Sequence, residues 1–306
     1  MRLVECGPMT DLHEAIAGDV PDLPAGPWVL LGEGLWGSVH DLRDGTVLKL
    51  VRRNGGLGTG ESKHYRETAA LRLLDGLQGS APRLPRLLDA GRFENAYGFS
   101  GPPLAGWLRL EKLEGKAVDE GRLYALKAEE RERLGEEIGS ALAHFHERTA
   151  TRAGEAEKLG SPGLRSIAEA MTRISDPDLR ARLERLKDMW DKEDAPRVFL
   201  HGDLNLSNVL AARGLPAAFV DFAEAGTGFA EEDFRHFDNP GPMRDAIFRS
   251  YAAVSGHAID MRRFRMGVAV NAACSLAIGS NSGHPREGMR RVSFLDEALR
   301  QAGIEA

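Results

Sequence analysis

The run His201-Gly202-Asp203-Leu204-Asn205-Leu206-Ser207-Asn208, followed by Val220-Asp221-Phe222, is where the reading of this chain begins. Apolar runs flank it. Arg197-Val198-Phe199-Leu200 and Ala217-Ala218-Phe219-Val220 read as short buried strands that present polar groups from their loop ends. Taken singly, each polar residue is more often a turn, a helix cap or a buried partner. The joint pattern is another matter: His-x-Asp-x-x-x-x-Asn with an Asp-Phe after a strand is long and gapped, and chance rarely satisfies it. Phosphoryl transfer needs a carboxylate to orient the attacking hydroxyl and accept its proton, and hard oxygen ligands for Mg²⁺. Asp203 fits the catalytic base, and Asn208 and Asp221 fit the metal ligands. His201 fits a structural role, holding the loop through hydrogen bonds.

Upstream, Gly32-Glu33-Gly34-Leu35-Trp36-Gly37-Ser38-Val39 repeats a glycine pattern that also occurs in dinucleotide-binding folds. There the glycines open a helix. Here they lead into Val39-His40-Asp41-Leu42 and a further strand, so the stretch reads as a hairpin that folds over phosphates, with Gly32, Gly34, Gly37 and Ser38 beside them. Lys49, in Val47-Leu48-Lys49-Leu50, lies on the next strand. Alone it reads as an outward lysine. As part of the set it contacts the α- and β-phosphates, held by a carboxylate of the following helix: Glu67, with Glu61 as the competitor.

Together these residues resemble the protein-kinase-like superfamily, and more narrowly the aminoglycoside phosphotransferase family of small-molecule kinases. The narrowing rests on the Gly of His201-Gly202-Asp203, where protein kinases usually carry Arg, and on the absence of an Ala-Pro-Glu segment downstream. The resemblance covers roughly residues 28 to 240. It implies a bilobal α+β fold with an antiparallel-sheet N-lobe and a mainly helical C-lobe, ATP or GTP as donor, Mg²⁺, and a small-molecule hydroxyl acceptor. It also implies that adenine meets backbone groups of a hinge, Glu111-Lys112-Leu113, and that Glu231-Glu232-Asp233-Phe234 is the acidic element closing the site. Asp221-Phe222-Ala223-Glu224 departs from the usual Asp-Phe-Gly, which puts in doubt a switch based on flipping that loop.

The rest of the chain accords with this outline. Short apolar runs at 27–31, 38–42, 46–51, 89–93 and 107–113 predict strands, and 61–77 predicts a helix after a mobile loop marked by Gly55, Gly56, Gly58 and Gly60. The character changes at Glu114-Gly115, which sets a nucleotide-binding lobe at 1–113 and a helical lobe at 114–306. In the second lobe helices are expected over 128–148, over 164–190 and through most of 233–302, with a strand pair at 197–222.

With 42% hydrophobic and 28% charged residues the composition is that of an ordinary globular protein. A net charge of −6 argues against a protein that coats nucleic acid. The lone Cys6 and Cys274 define no disulfide framework, and no stretch is apolar and long enough to span a bilayer, so a cytoplasmic protein with no membrane partner is expected. Oligomeric state and the choice between ATP and GTP are not legible. The C-terminal helices should choose the acceptor, with Glu231, Glu232, Asp238, Arg244, Tyr251, Asn271, Ser275 and Asn281 as candidate pocket groups. An acidic rim of Glu231, Glu232, Asp233 and Asp238 would suit a polyamine such as an aminoglycoside; sugars, amino alcohols and macrolides stay open. Two alternatives stand beside the small-molecule kinase: a protein-directed kinase and a non-catalytic nucleotide-binding module.

Overall fold

The computed structural model describes residues 9–78, 81–93, 103–118, 120–279 and 285–305. They fall into two compact units, one of residues 1–75 and 85–113 and one of residues 76–84 and 114–306.

The first unit opens with helix α1 (Met9–Ile16) and strands β1 (Val29–Gly34), β2 (Gly37–Asp41) and β3 (Thr46–Arg52). Helix α2 (Gly60–Leu73) and strands β4 (Leu87–Arg92) and β5 (Leu104–Glu111) complete it. The strands form one antiparallel sheet in the order β1-β2-β3-β5-β4. Leu48, Leu50, Leu104 and Trp107 of β3 and β5 pack with Trp28, Leu42 and Phe93, and Ile16 of α1 joins the same core. Gly37 is demanded by the sheet: a Cβ there would lie 1.9 Å from the Leu50 carbonyl oxygen. The glycine run expected as a mobile loop is packed instead. A Cβ at Gly55 would meet the Leu35 carbonyl at 2.3 Å and one at Gly60 the Arg52 carbonyl at 1.8 Å, so these glycines serve close approach to the hairpin and to β3.

The second unit begins with β6 (Lys116–Ala117), α3 (Glu120–Ala125), α4 (Ala128–Thr149) and α5 (Ala153–Ala156). Then come α6 (Pro162–Met171), α7 (Pro177–Asp191) and strands β7 (Arg197–Leu200), β8 (Val209–Ala212), β9 (Leu215–Phe219) and β10 (Gly226–Phe229). Helices α8 (Pro242–Ser255), α9 (Met261–Gly279) and α10 (Pro285–Gln301) follow. Segment 76–84, which a single cut at 113 leaves with the first unit, belongs here because its backbone is tied here. Arg83 N–H donates to Ala217 O, Phe219 N–H donates to Arg83 O, and Arg148 donates to the carbonyls of Leu77 and Ala81.

The helical segments expected over 164–190 are α6 and α7, separated at 172–176, where Asp176 Oδ1 accepts from the amides of Asp178 and Leu179 and Pro177 takes the first helical position. One expectation needs correction. The single strand pair at 197–222 is two separate ladders: β7 pairs with β10, and β9 lies in a sheet ordered β6-β8-β9. The two strands that flank the motif are therefore not each other's partners.

Helix α4 is the spine of this unit. Leu134, Ile138, Leu142 and Phe145 recur every three to four residues and are buried, and Phe145 meets Phe199, Phe219 and Phe222 edge-on or tilted. On another face Gly135 and Gly139 let α8 approach: added Cβ atoms would lie 2.5 Å from Met243 O and 2.2 Å from Ile247 O. Backbone cannot retreat as a side chain can. Gly139→Ala is expected to cost ~1 to 3 kcal/mol of stability by overpacking, read from chemical denaturation. A variant as stable as the parent would mean that α8 shifts without penalty.

Candidate active site

In the first unit, the β1–β2 hairpin turns through Leu35-Trp36, with Gly34 opposite Gly37. Cβ atoms at Gly32 and Gly34 would meet nothing, so no packing inside the chain explains these two glycines. The turn is held from β3, where Arg52 donates to Gly34 O at 2.7 Å and pairs with Glu33. The Lys63 ammonium stands 5.0 Å from the centre of the Trp36 ring, within cation–π range. Ser38 Oγ lies 2.8 Å from His40 Nε2.

Lys49 projects from β3 toward α2 and meets Glu67 at 2.9 and 2.7 Å, with both residues buried. Glu61 stands in the first turn of α2, where a carboxylate complements the helix dipole, 3.6 Å from Arg53. So the structure joins Lys49 to Glu67 rather than to Glu61. At the end of β5 the amides of Glu111 and Lys112 already donate to Arg86 O and Gly45 O, and the Lys112 ammonium pairs with Asp41 at 2.8 Å. Leu113 follows, half-buried.

In the second unit, β7 ends at Leu200 and the chain turns through Gly202 at φ +81°, where an added Cβ would strike Glu224 O at 2.1 Å. His201 is fully buried. Its Nε2 lies 2.9 Å from Val220 O and its Nδ1 accepts from the Asp203 amide at 3.3 Å, an arrangement that assigns the proton to Nε2. Burial holds its pKa down despite the nearby carboxylates of Asp233 and Asp203, so it serves the loop as a neutral brace.

Asp203 is presented beyond that turn. Burial opposes its charge, but the hydrogen bond and charge of His236, with Arg235 behind them, hold its carboxyl well below the usual carboxylate range. Asn208 donates to Asp203 O at 2.8 Å, which turns its amide oxygen to the other side. Asp221, just past β9, sits at φ +67°, a left-handed conformation that non-glycine residues adopt at a cost, and its Oδ1 accepts from the Ala223 amide at 3.3 Å. Among the described residues no three His, Cys, Asp or Glu side chains gather as a metal cage.

The loop is held by Asp233 and Tyr251, expected at an acidic rim and an acceptor pocket, and by His146, Arg235 and His236, which no motif in the sequence singles out. Asp233, fully buried, accepts from the amides of His201 at 2.9 Å and Gly202 at 2.7 Å and lies 3.1 Å from His146 Nε2. Tyr251 Oη closes on His146 Nδ1 at 3.0 Å, which ties α4 and α8 into the same network. Arg235 donates to Gly202 O at 2.5 Å, and His236 Nε2 reaches Asp203 Oδ1 at 2.8 Å.

The proposed acidic rim does not survive. Glu231, Glu232 and Asp233 are all buried, and Glu231 is engaged by Arg263 and the Asp260 amide. Glu232 accepts from the Gly163 amide at 3.0 Å, and desolvation pushes its carboxyl up to about 8. Asp238 alone of the four is half-exposed. Of the other pocket candidates, Tyr251 faces His146, Arg244 pairs with Asp245, Asn271 and Ser275 are half-buried on α9, and Asn281 lies outside the described residues.

Glu232 carries a pH signature. The folded chain keeps a proton that the unfolded chain releases near its ordinary value of 4.5, so this group's contribution to stability falls as pH rises from about 4.5 to about 8. Glu232→Gln should flatten that slope in denaturant titrations between pH 5 and 8.5. An unchanged slope would assign the dependence to other groups.

Comparison with known proteins comes from family and from shape. A family model described as "Phosphotransferase enzyme family" matches residues 41–264. No curated protein matches in a sequence search. Among solved structures, the GDP complex of wild-type aminoglycoside 2'-phosphotransferase-IIIa superposes with a TM-score of 0.67 at 18% identity, over 95% of this chain and 98% of that one. Macrolide 2'-phosphotransferase type I gives 0.58 at 19% identity over 100% and 99%. A choline/ethanolamine kinase family protein from Mesorhizobium loti gives 0.62 at 14% identity over 96% and 99%. At these identities the likeness is one of fold, and that fold is kinase-like.

Proposed function

Since the chain belongs to the phosphotransferase enzyme family and is a nucleotide-dependent small-molecule kinase, we propose that Asp203 is the base that takes the proton of the acceptor hydroxyl. The observation that carries this is the state of Asp203: a carboxylate kept ionised, at the end of a strand, on a loop whose amides are held by the buried Asp233. A base must be unprotonated and in place before the hydroxyl arrives. Lys49, braced by Glu67, would hold the α- and β-phosphates, and the unobstructed backbone at Gly32 and Gly34 leaves room for a phosphate.

Asn208 and Asp221 would hold Mg²⁺. Both supply hard oxygens, and two protein ligands suffice for an ion that usually completes its shell with phosphates and water. When bound, it neutralises charge on the transferring group. The left-handed φ of Asp221, strained for a non-glycine residue, supports a functional reading. With the amides of Glu111 and Lys112 already bonded, Leu113 is the hinge residue whose N–H we assign to the adenine. We place the activity in the cytoplasm.

The acceptor is a small molecule bearing a hydroxyl. The named neighbours are an aminoglycoside phosphotransferase, a macrolide phosphotransferase and a choline/ethanolamine kinase family protein, and the loss of the acidic rim removes the reason to prefer a polycationic acceptor. The short path after Asp221, with residues 222–225 leading into β10 and 230–234 into a helical turn, favours a small acceptor over a docked peptide. Turnover of Mg·ATP and Mg·GTP against a panel of aminoglycosides, macrolides, amino alcohols and sugars tests the reading. Acceptor-dependent transfer that vanishes in Asp203→Asn supports it. Nucleotide binding without transfer to any of them, or to compounds in a metabolite extract, would favour the non-catalytic module.

A further inference from the structure

The two oxygens of Asp203 are held unequally. Oδ1 lies 2.8 Å from His236 Nε2, whereas the side-chain donors nearest Oδ2 are Asn205 Nδ2 at 3.3 Å and Asn208 Nδ2 at 3.4 Å, distances at which a hydrogen bond is weak. Asn205 and Asn208 also direct those same amides to the Asp203 carbonyl, at 3.4 and 2.8 Å. Arg235 Nε also stands 3.3 Å from His236 Nε2, but the 2.8 Å contact to Oδ1 is the shorter and assigns the Nε2 proton to the carboxylate; so, among the described residues, one oxygen has a close partner and the other has longer, shared ones.

His236 is itself on a rigid backbone. Preceding it, Arg235 is buried, donates its amide to Glu232 O and its guanidinium to Gly202 O. Following it, Phe237 is buried and donates its amide to Phe234 O at 2.9 Å. The imidazole therefore projects from a stapled turn onto the carboxylate, and the same turn supplies Asp233 to the amides before it.

We propose that His236 is a positioning residue for phosphoryl transfer: its Nε2–H binds Oδ1 and sets the plane of the Asp203 carboxylate, leaving Oδ2 to receive the acceptor's proton. This rests on the reading of Asp203 as the base. In the step, the hydroxyl proton moves to Oδ2, an oxygen lone pair of the acceptor bonds to the γ-phosphorus, and the bond from that phosphorus to the bridging oxygen breaks to leave the nucleoside diphosphate. His236 keeps its proton throughout. Its part is orientation, and a small misplacement of a reacting group can cost ~10²-fold in rate.

The test compares His236→Ala and His236→Gln in the full chain. The alanine variant should lose ~10- to 100-fold in kcat, with the nucleotide KM and the thermal shift produced by Mg·ATP or Mg·GTP unchanged. Glutamine, whose amide N–H can donate to Oδ1, should recover most of the loss, and added imidazole should partly restore the alanine variant. A merely structural role would instead lower thermal stability and raise KM, without rescue by imidazole. Unchanged or increased kcat in the alanine variant overturns the proposal, and so does failure of both rescues. A second readout needs no acceptor: in side-chain ¹⁵N–¹H spectra, His236 should carry its proton on Nε2, and its resonances should move in Asp203→Asn. Static resonances would mean the contact is not made in solution. Resonances that move while Asp203→Asn keeps full activity would leave the contact standing and sink the base assignment instead.

Discussion

Asp203→Asn is expected to lower kcat by ~10² to 10⁴-fold while leaving nucleotide affinity nearly intact. The substitution keeps the size of the side chain and one oxygen that His236 can bind, and it removes the basic oxygen pair. Among the described residues the Asp203 carboxylate meets the side chains of Asn205, Asn208 and His236, so the loss should fall on proton transfer rather than on folding. Initial rates against nucleotide and acceptor separate the two: kcat should fall with little change in the nucleotide KM. Full activity in the variant would mean that the hydroxyl loses its proton elsewhere and that Asp203 has another role.

Asp233→Ala should be the most damaging single change outside the reacting groups. Three donors converge on this carboxylate, two of them backbone amides of the loop that carries Asp203, and none has a solvent route. Removing it leaves the His201 and Gly202 amides buried without an acceptor, and breaking a buried charged network of this kind costs ~3 to 5 kcal/mol. The carboxyl is held below its usual range, burial opposing and the His146 contact and the Gly202 amide favouring its charge, so it stays ionised while the fold persists. Asp233→Asn should restore little, because its NH₂ would face an N–H. Denaturant unfolding and kcat measured on the same preparation check the expectation: both should fall together. A loss under ~1 kcal/mol would show that water or a neighbour replaces the carboxylate.

The contrast between Lys49 and His236 shows what a sequence can carry. Lys49 and Glu67 lie within one strand–loop–helix stretch, where a period of two and then of 3.6 places each on a known face, and the structure joins them through both carboxylate oxygens. The kinase-like α+β fold was legible for the same reason, along with the antiparallel sheet and the long amphipathic α4. The strand-pair reading failed because a strand's period does not name its partner: β7 looks the same whether it pairs with β9 or with β10.

Motif spacing and the resemblance it carries were enough to name the fold class and to nominate the candidate set Lys49, Asp203, Asn208 and Asp221. Tertiary structure alone decided the standing of Glu231-Glu232-Asp233-Phe234-Arg235-His236. In one dimension its first four residues read as an acidic element closing the site and rimming an acceptor pocket. In three dimensions Glu231 engages Arg263, Glu232 is pushed toward neutrality, Asp233 and Arg235 clasp the loop that carries Asp203, and His236 faces Asp203. Whether a carboxylate lies in water or in a dry interior depends on which distant elements close over it, and no local periodicity records that.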